Sequence, residues 1–464
     1  MVAACAAVVV LGATVVLAPA PASPSRDPRP NVLLVVTDDQ TFGSLSAGSA
    51  AMPWFQAQVA DPDGHWLWFP NAVVSTPLCC PSRATILTGR NDRHTGVRDN
   101  STGRRLDETD TLAVWLHDAG YRTGLVGKYL NEYPWDRGPY VPPGWDRWYA
   151  KENLSQATTY YDYPVVDQGQ LQIAGSSPAD YATDALAREA VGFVREAPAD
   201  SPWFLYFAPS APHAPWEPAP RDRDAPVGGA GPVPTQAVLN DVRGKPAWVR
   251  ARPPVDAVSL AIFQRERLQE RRTLLAVDGA VRSLVDEVAA RGELDRTVIV
   301  FLSDNGYAYG EHRLHAKGSP YEESIHVPFA IYSPWRAGAT MDALVANLDV
   351  APTIAALAGV AVPAPIDGIN LAPIVRGQAP GPDLTADRGV FLDWRGSVDV
   401  PAWSGIRTSD AVYIRSADGT RELYDLAADP KELRNLVADP AYRAVVRRLR
   451  RLWARSLARL PGRG

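Results

Sequence analysis

The sequence contains only three cysteines, and two of them, Cys79 and Cys80, are adjacent. The third, Cys5, lies in the apolar first stretch of the chain. Because neighbouring cysteines can pair only as a strained vicinal ring, we expect no structural disulfide. A zinc site of the usual type needs more cysteines or histidines at regular spacings than the chain has. The fold must therefore be stable through its core alone, and the cysteine pair is a candidate for reactivity.

The sequence also lacks an excess of positive charge and, beyond its start, any long apolar run. Its 47 basic and 52 acidic residues give a formal charge of −5, so we expect no nucleic-acid partner. The stretch "MVAACAAVVVLGATVVLAPAPASPS" is typical of a secretory signal, predicted over residues 1–22, with an N-terminal anchor as the alternative. We therefore expect a secreted or cell-surface protein without a stable membrane span.

Two apolar, β-branched runs end abruptly in acidic residues. They are "NVLLVVTDD" (31–39) and "TVIVFLSDNG" (297–306), and such runs are typical of fully buried parallel strands. Helical patterns lie between and around them, over residues 111–121, 182–197 and 271–294. The alternation predicts an α/β fold with a large, mostly parallel sheet flanked by helices.

The composition changes near residues 379–387, where we place a boundary. Residues 28–380 are predicted to form the main domain and residues 385–464 a smaller α+β subdomain. The latter combines short strand patterns with a basic stretch, "YRAVVRRLRRLWARSLARL", whose apolar residues recur at helical spacing. This favours a small antiparallel sheet with one helix. The Pro- and Gly-rich residues 220–256 predict an exposed loop.

The acidic strand ends indicate a metal site. Asp38 and Asp39 leave one predicted strand, and Asp304 and Asn305 leave the other. Since parallel strands end at one edge of a sheet, these side chains should meet there. Carboxylate and amide oxygens are hard ligands, which favours Ca²⁺ or Mg²⁺.

The cysteine pair opens the stretch "CCPSRATILTGR" (79–90). Pro81 suits the first turn of a helix, which places Cys79 at a helix N-terminus where an anion is favoured, with Arg83 nearby. A reactive thiolate fits this position physically. A cysteine phosphatase, however, has a longer loop between its cysteine and arginine and does not need the carboxylates.

This stretch resembles the signature of the type I sulfatases of the alkaline-phosphatase superfamily. That signature is Cys-x-Pro-Ser-Arg followed by x-x-x-Leu-Thr-Gly, and residues 79–89 match every fixed position. The resemblance implies an alkaline-phosphatase-like sandwich with a large central mixed sheet. It also implies that Cys79 is oxidised before folding to formylglycine (3-oxoalanine) by a separate formylglycine-generating enzyme, while Cys80 fills a variable position.

The resemblance extends over nearly the whole mature chain, through "LLVVTDDQ", "VGKY", "APHAPW", "SDNG" and "AKGSPYEESIHVP". It implies a Ca²⁺ site, with Mg²⁺ as the alternative, formed by Asp38, Asp39, Cys79, Asp304 and Asn305. The catalytic residues it implies are Cys79, Arg83, Lys128, His213 and Lys317. The branch of N-acetylglucosamine-6-sulfatases and heparan-type sulfatases is the most similar, so the expected substrate is a sulfated carbohydrate or an aryl sulfate.

The implied reaction is hydrolysis of a sulfate ester to an alcohol and inorganic sulfate through a formylglycine sulfoenzyme intermediate. Lys128, Lys317 and Arg83 would offset the negative charge, and His213 would protonate the leaving alcohol. The alternative is a phosphodiesterase or phosphonate monoester hydrolase of the same superfamily. A non-catalytic carbohydrate-binding relative is disfavoured, because no expected ligand is missing.

The chain departs from the family pattern at one position. Many type I sulfatases have a histidine two residues after the lysine matched by Lys128, and here Leu130 stands there, with Asn131 as a candidate replacement. Three further histidines fall near the matched stretches and are candidate pocket residues: His94, His312 and His315. The aromatic residues of "WDRWYA" and "TTYYDYP" either stack on a sugar ring or pack a loop.

Overall fold

The strand over residues 31–37 lies inside the main sheet because both of its faces are apolar. Leu34 and Val36 belong to one hydrophobic cluster, and Leu33 and Val35 belong to another on the opposite face. All four side chains are fully buried. The first cluster includes helices around residues 79–88 and 350–357, and the second includes helices around residues 182–195 and 257–290. Helices therefore cover the sheet on both sides, as the sequence predicts.

The computed structural model describes residues 1–2, 27–46, 48–152, 159–228, 234–381, 383–384 and 388–462. Residues 3–22 of the predicted signal, and the start of the predicted subdomain at residues 385–387, lie outside the described residues. Within the described part, no helix combines the length and apolarity that crossing a bilayer requires. The strands are β1 (Asn31–Thr37), β2 (Trp66–Trp68), β3 (Ala72–Val73), β4 (Arg122–Lys128), β5 (Arg147–Lys151), β6 (Pro164–Asp167), β7 (Gln170–Ile173), β8 (Trp203–Ala208), β9 (Thr297–Ser303), β10 (Ala308–Tyr309), β11 (His315–Ala316), β12 (Phe329–Tyr332), β13 (Ala339–Thr340), β14 (Val345–Ala346), β15 (Val390–Trp394), β16 (Trp403–Arg407), β17 (Ala411–Ser416) and β18 (Arg421–Asp425).

The helices differ from the sequence prediction in one boundary and within residues 220–256, where two short, partly buried helices replace part of the predicted exposed loop. They are α1 (Pro53–Ala60), α2 (Cys79–Thr88), α3 (Asp92–Thr95), α4 (Leu112–Asp118), α5 (Ala182–Arg195), α6 (Gln236–Asn240), α7 (Ala247–Arg250), α8 (Ala257–Ala290), α9 (Glu322–Ile325), α10 (Val350–Leu357), α11 (Ala372–Val375) and α12 (Arg443–Arg459). Helix α8 was predicted from residue 271 but begins at Ala257, capped by the Asp256 side chain. Its first turns are mostly exposed, so they show no apolar periodicity.

The ten-stranded main sheet has the order β13-β2-β12-β9-β1-β8-β4-β5-β6-β7. Strands β9, β1, β8, β4 and β5 are parallel, and the flanking pairs are mostly antiparallel. Strands β1 and β9 are neighbours in a register that pairs Thr37 with Ser303. The residues that follow these two strands therefore lie side by side.

A second sheet, β15-β16-β17-β18, is antiparallel throughout. Helix α12 packs against it through an apolar stripe in which Leu449 is fully buried, while its arginines are largely exposed. The predicted small sheet with one helix is therefore present. The division of the chain at residues 380–385 stays a prediction.

Candidate active site

The site lies at the carboxyl edge of the main sheet, where β1 and β9 end. Asp38 and Asp39 follow β1, Asp304 and Asn305 follow β9, and all four side chains are at least 98% buried. The Asp39 backbone N–H donates to Asp304 Oδ1 at 3.1 Å. Asp39 itself has a left-handed backbone with φ of 64°, a strained conformation that is common at functional sites.

Helix α2 carries Cys79 into this edge as its first residue. Every residue of α2 is buried. The helix ends at Thr88, and Gly89 follows with a φ of 68° and so little space that a Cβ there would lie 2.8 Å from Pro352 Cδ. Ser82 is fixed by Asn347 Nδ2, which donates to its hydroxyl at 2.9 Å. The signature residues thus build one rigid, buried element.

The Cys79 sulfur lies next to one ammonium group and two carboxylates. Lys317 Nζ donates to it at 2.7 Å, Asp38 Oδ1 lies at 3.5 Å and Asp39 Oδ1 at 3.9 Å. Burial raises the pKa of the thiol to about 12, although Lys128 and Lys317 oppose this. The unmodified cysteine is therefore a neutral thiol at neutral pH, which does not support the thiolate alternative.

Lys128 ends β4 and points at the same edge. Its ammonium donates to Asp38 Oδ2 at 2.5 Å, with 2% of the side chain exposed. A side chain at Gly127 would meet the Ala208 carbonyl at 2.0 Å, so the glycine allows β4 to approach β8. Burial would raise the pKa of Asp38, but Lys128, His213 and Arg83 hold it well below its usual range. Asp38 is therefore ionised.

Arg83 contacts the Asp304 carboxylate and the end of β4. Its Nε donates to Asp304 Oδ2 at 2.8 Å and a terminal nitrogen donates to the Lys128 carbonyl at 3.0 Å. The guanidinium is fully buried. Burial and the neighbouring Asp38 raise the pKa of Asp304 to about 6, against the opposing pull of Arg83. Arg83 therefore positions the Asp304 carboxylate.

His213 faces Asp39 from the loop after β8. Its Nε2 lies 3.5 Å from Asp39 Oδ2, while Nδ1 lies 2.7 Å from the Ala214 carbonyl. The Tyr160 hydroxyl donates to the His213 carbonyl at 2.7 Å and holds this loop. Burial lowers the pKa of His213 although Asp39 and Asp38 oppose this. With Nδ1–H donating to a carbonyl, Nε2 is the nitrogen that can exchange a proton in the site.

The oxygen atoms of the site fit a divalent cation. Asn305 Nδ2 donates to Asp39 Oδ1 at 2.7 Å, but Asn305 Oδ1 is buried without a hydrogen-bond partner among the described residues. One ligand atom from each of Asp38, Asp39, Cys79 and His213 lies within 4.8 Å of the others. A hard cation would satisfy the orphaned amide oxygen and both carboxylates. Three carboxylates and three cations already balance at this edge: Asp38, Asp39 and Asp304 against Arg83, Lys128 and Lys317.

The structure thus brings together all nine predicted site residues. Leu130, by contrast, packs in the hydrophobic core, and Asn131 Oδ1 is buried without a partner among the described residues. The aromatic candidates Trp148 and Tyr163 are fully buried, so they pack the fold. The other three histidines lie beside carboxylates: His94 near Asp367, His312 near Glu323 and His315 near Glu266.

Two residues that organise the site were not identified from the sequence. Asn347 bridges Ser82 and the Ser75 backbone N–H, and Tyr160 fixes the His213 loop. Asn347 directly follows the short strand β14, and a single asparagine there indicates no role by itself. Tyr160 is one of several aromatic residues in its stretch, and the sequence does not distinguish its role from theirs. Both act through hydrogen bonds that only the fold creates.

Comparison with known proteins identifies the class to which this fold and site belong. A sulfatase family model matches residues 30–360, and a model described as N-sulphoglucosamine sulphohydrolase, C-terminal, matches residues 310–457. The first match covers most of the chain. The chain belongs to the sulfatase family and is a sulfuric ester hydrolase. Sulfatases of this family generally use formylglycine and a divalent metal.

The sulfatases that are similar to this chain include two N-acetylglucosamine-6-sulfatases. N-acetylglucosamine-6-sulfatase of Homo sapiens is 33% identical over 385 residues, covering 79% of this chain and 68% of the human protein. N-acetylglucosamine-6-O-sulfatase of Bacteroides thetaiotaomicron is 27% identical over 483 residues, covering 89% and 84%. One similar solved structure holds its protein in complex with its substrate, D-glucosamine-2-N,6-O-disulfate. It has a TM-score of 0.80 and 25% identity, and the match covers 93% of this chain and 98% of that one. The expected family and fold are confirmed.

Proposed function

We propose that this chain hydrolyses the 6-O-sulfate ester of glucosamine or N-acetylglucosamine and releases inorganic sulfate. One observation carries the proposal. The Cys79 sulfur contacts the Lys317 ammonium and lies within 3.9 Å of an oxygen of both Asp38 and Asp39. The two N-acetylglucosamine-6-sulfatases and the sugar-bound structure support the choice of sugar.

Maturation of Cys79 by a formylglycine-generating enzyme is part of the proposal. The thiol is neutral as it stands, and every residue of α2 is buried. An enzyme that reads the linear motif must therefore act before the chain folds. When present, formylglycine at position 79 and Ca²⁺, or Mg²⁺, supply the nucleophilic oxygen and the polarisation of the sulfate group.

The residues of the chain hold this centre and stabilise negative charge. Asp38, Asp39, Asp304 and Asn305 would bind the cation, with Arg83 keeping Asp304 in place. The Lys317 ammonium, from the segment after β11, contacts the Cys79 sulfur, and the Lys128 ammonium, from β4, contacts the neighbouring carboxylate of Asp38. Cations preorganised in a water-poor site stabilise charge that develops during transfer.

His213 would carry the proton to the leaving alcohol. The Ala214 carbonyl occupies Nδ1, so the second proton of the imidazolium resides on Nε2, which faces the site. Because burial lowers the pKa of His213, its imidazolium is a stronger acid than free histidine. A sugar alcohol is a poor leaving group and needs such a donor.

A cavity of about 260 Å³ next to Lys317 suits the sugar. Arg252, His315, Ser397 and Asp399 line it together with Lys317, and they contribute several hydrogen-bonding groups. Part of this wall comes from the loop after β15 in the second sheet. We propose that this cavity holds the glucosamine ring.

We also propose, from the signal-like N-terminal stretch, that the protein is exported.

The function is tested by measuring sulfate release by the protein co-expressed with a formylglycine-generating enzyme. N-acetylglucosamine-6-sulfate and glucosamine-2-N,6-O-disulfate should be hydrolysed, together with a chromogenic aryl sulfate. Turnover of the aryl sulfate but of neither sugar would overturn the substrate assignment. Faster turnover of phosphodiesters or phosphonate monoesters than of any sulfate would favour the alternative activity. An Arg252→Ala variant should raise KM for the sugars and leave that for the aryl sulfate within about threefold.

A further inference from the structure

A second cluster of ionisable side chains lies buried between the main sheet and the small sheet. His312 precedes Lys317 by five residues, Glu323 lies in α9, and Glu432 follows β18. One potential ligand atom from each of the three lies within 4.8 Å of the others. His312 Nε2 is 3.7 Å from Glu323 Oε2. The spacing is close to that of side chains that share an ion.

His312 shows that these groups lack their usual partners. Its side chain is 1% exposed, and neither ring nitrogen has a hydrogen-bond partner among the described residues. Leaving a buried polar group unpaired is costly, so native proteins rarely do so. The residue also has a left-handed backbone, with φ of 56°, which adds strain. A buried, unpaired imidazole held in a strained turn points to a ligand.

The two carboxylates present unpaired atoms to the same space. Glu432 is fully buried, and its Oε2 accepts from the Glu322 backbone N–H at 2.9 Å. Its other oxygen, Oε1, has no hydrogen-bond partner among the described residues, and the same holds for Glu323 Oε2. Three side chains from three segments therefore each direct an unsatisfied ligand atom into one place.

The cluster contains more carboxyl groups than basic groups. Glu422 is also buried there, accepting from the hydroxyls of Tyr321 and Tyr424. The Lys245 ammonium is the buried cation of this group, 3.6 Å from the centre of the Tyr321 ring.

A second lysine contributes less positive charge to the cluster. Lys431 lies 3.7 Å from Glu323, but 57% of its side chain is exposed, so water screens its charge. Arg407 is already paired with Glu322. Three carboxyl groups (Glu323, Glu422 and Glu432) thus face one buried ammonium and one solvated one, and a divalent cation would supply the remaining positive charge that their joint ionisation requires.

We infer that His312, Glu323 and Glu432 bind one first-row divalent cation, with Zn²⁺ the best match. One imidazole and two carboxylates suit Zn²⁺, whereas Ca²⁺ and Mg²⁺ take oxygen ligands almost exclusively. His312 and Glu323 belong to the main sheet unit, and Glu432 follows the last strand of the small sheet. The ion therefore fastens the two sheets together beside the segment that leads to Lys317.

The test must keep this site apart from the active site, where Cys79 and His213 also attract zinc. We would use the full chain with Cys79→Ala, in saturating Ca²⁺, and measure zinc by elemental mass spectrometry after gel filtration. About one zinc per chain is expected. Adding Glu432→Gln or His312→Gln should weaken zinc binding at least about tenfold. His315→Gln, which removes a nearby exposed histidine, should leave zinc binding unchanged.

A measurement on the Cys79→Ala chain alone covers the case in which the cluster variants fail to fold. Zinc added to chelator-treated protein in Ca²⁺ should raise Tm by about 2 °C or more, because an ion that binds the folded chain stabilises it. Co²⁺ should give the visible absorption bands of a site with a nitrogen ligand and low symmetry. No retained zinc, no shift in Tm and no cobalt bands would overturn the inference, as would zinc binding that persists at full affinity in Glu432→Gln.

Discussion

The Lys317 ammonium bridges the Cys79 sulfur, at 2.7 Å, and the carboxylate of Asp39. Burial would lower the pKa of Lys317, but the neighbouring carboxylate of Asp39 raises it well above the usual range. The side chain is therefore a permanent cation at the position where residue 79 reacts. Because it is already oriented, it can stabilise negative charge there without reorganising.

Replacing Lys317 by methionine should lower kcat for sulfate esters by about 10²–10³-fold, the usual cost of removing one preorganised charge-stabilising group. Steady-state kinetics of the Lys317→Met protein on an aryl sulfate measures this. Lys431→Met, which removes an exposed lysine, is the matched control and should retain kcat. A Lys317→Met protein within about threefold of the original rate would show that this contact does not serve the reaction.

His213 can be tested through the leaving group. A His213→Gln variant should lose about 10²–10⁴-fold on a 6-sulfated sugar but much less on an aryl sulfate with an acidic phenol, which needs no proton. The ratio of the two kcat/KM values measures the effect. Equal losses on both substrates would mean that His213 positions Asp39 and does not donate a proton.

Removal of the metal should abolish turnover. The unpaired Asn305 Oδ1 lies beside the carboxylates of Asp38 and Asp39, a set of hard oxygen ligands that suits a catalytic cation, so dialysis against a chelator should lower kcat by at least about 10²-fold. Adding Ca²⁺ or Mg²⁺ back in parallel samples identifies the ion. Asp38→Asn should be inactive at every metal concentration. Full activity of chelated protein that contains no metal would contradict the site.

Lys151 gives a prediction of stability against pH. Burial, with Lys128 nearby, lowers the pKa of Lys151 from 10.5 to about 7. The unfolded chain keeps this proton up to about pH 10, so the folded state pays a penalty that is complete below pH 7 and fades as the pH rises towards 10.

Lys151→Met should therefore raise the free energy of unfolding by up to a few kcal/mol at pH 6, and by clearly less at pH 9. Denaturant unfolding at the two pH values measures this, with Lys431→Met as the exposed control. A gain that is the same at both pH values would show that the lysine is not buried with its proton.

The parts of the site that the sequence predicts correctly share one physical basis. Asp38, Asp304 and Cys79 each stand at the end of an element with a strong local pattern, either a fully apolar strand or a helix that begins with proline in its first turn. Such patterns locate the end of an element to within a residue or two, and parallel strands bring their ends together. The proximity of these side chains at one edge of the sheet could therefore be predicted.

What could not be predicted depends on long-range contacts. The start of α8 at Ala257 was missed because its first turns are mostly exposed. His312 and Glu432 were missed as partners because they lie 120 residues apart with no spacing motif, and the fold alone brings them together. Likewise, only packing shows that Trp148 belongs to the core.

The proposed reaction requires that Cys79 is converted to formylglycine and that the converted enzyme releases sulfate from a sugar. The most direct measurement is peptide mass spectrometry of the segment around Cys79, with sulfate release from N-acetylglucosamine-6-sulfate assayed on the same sample. We expect a peptide about 18 Da lighter than the thiol form, and activity in proportion to the fraction of that peptide. An unmodified thiol in fully active protein would contradict it.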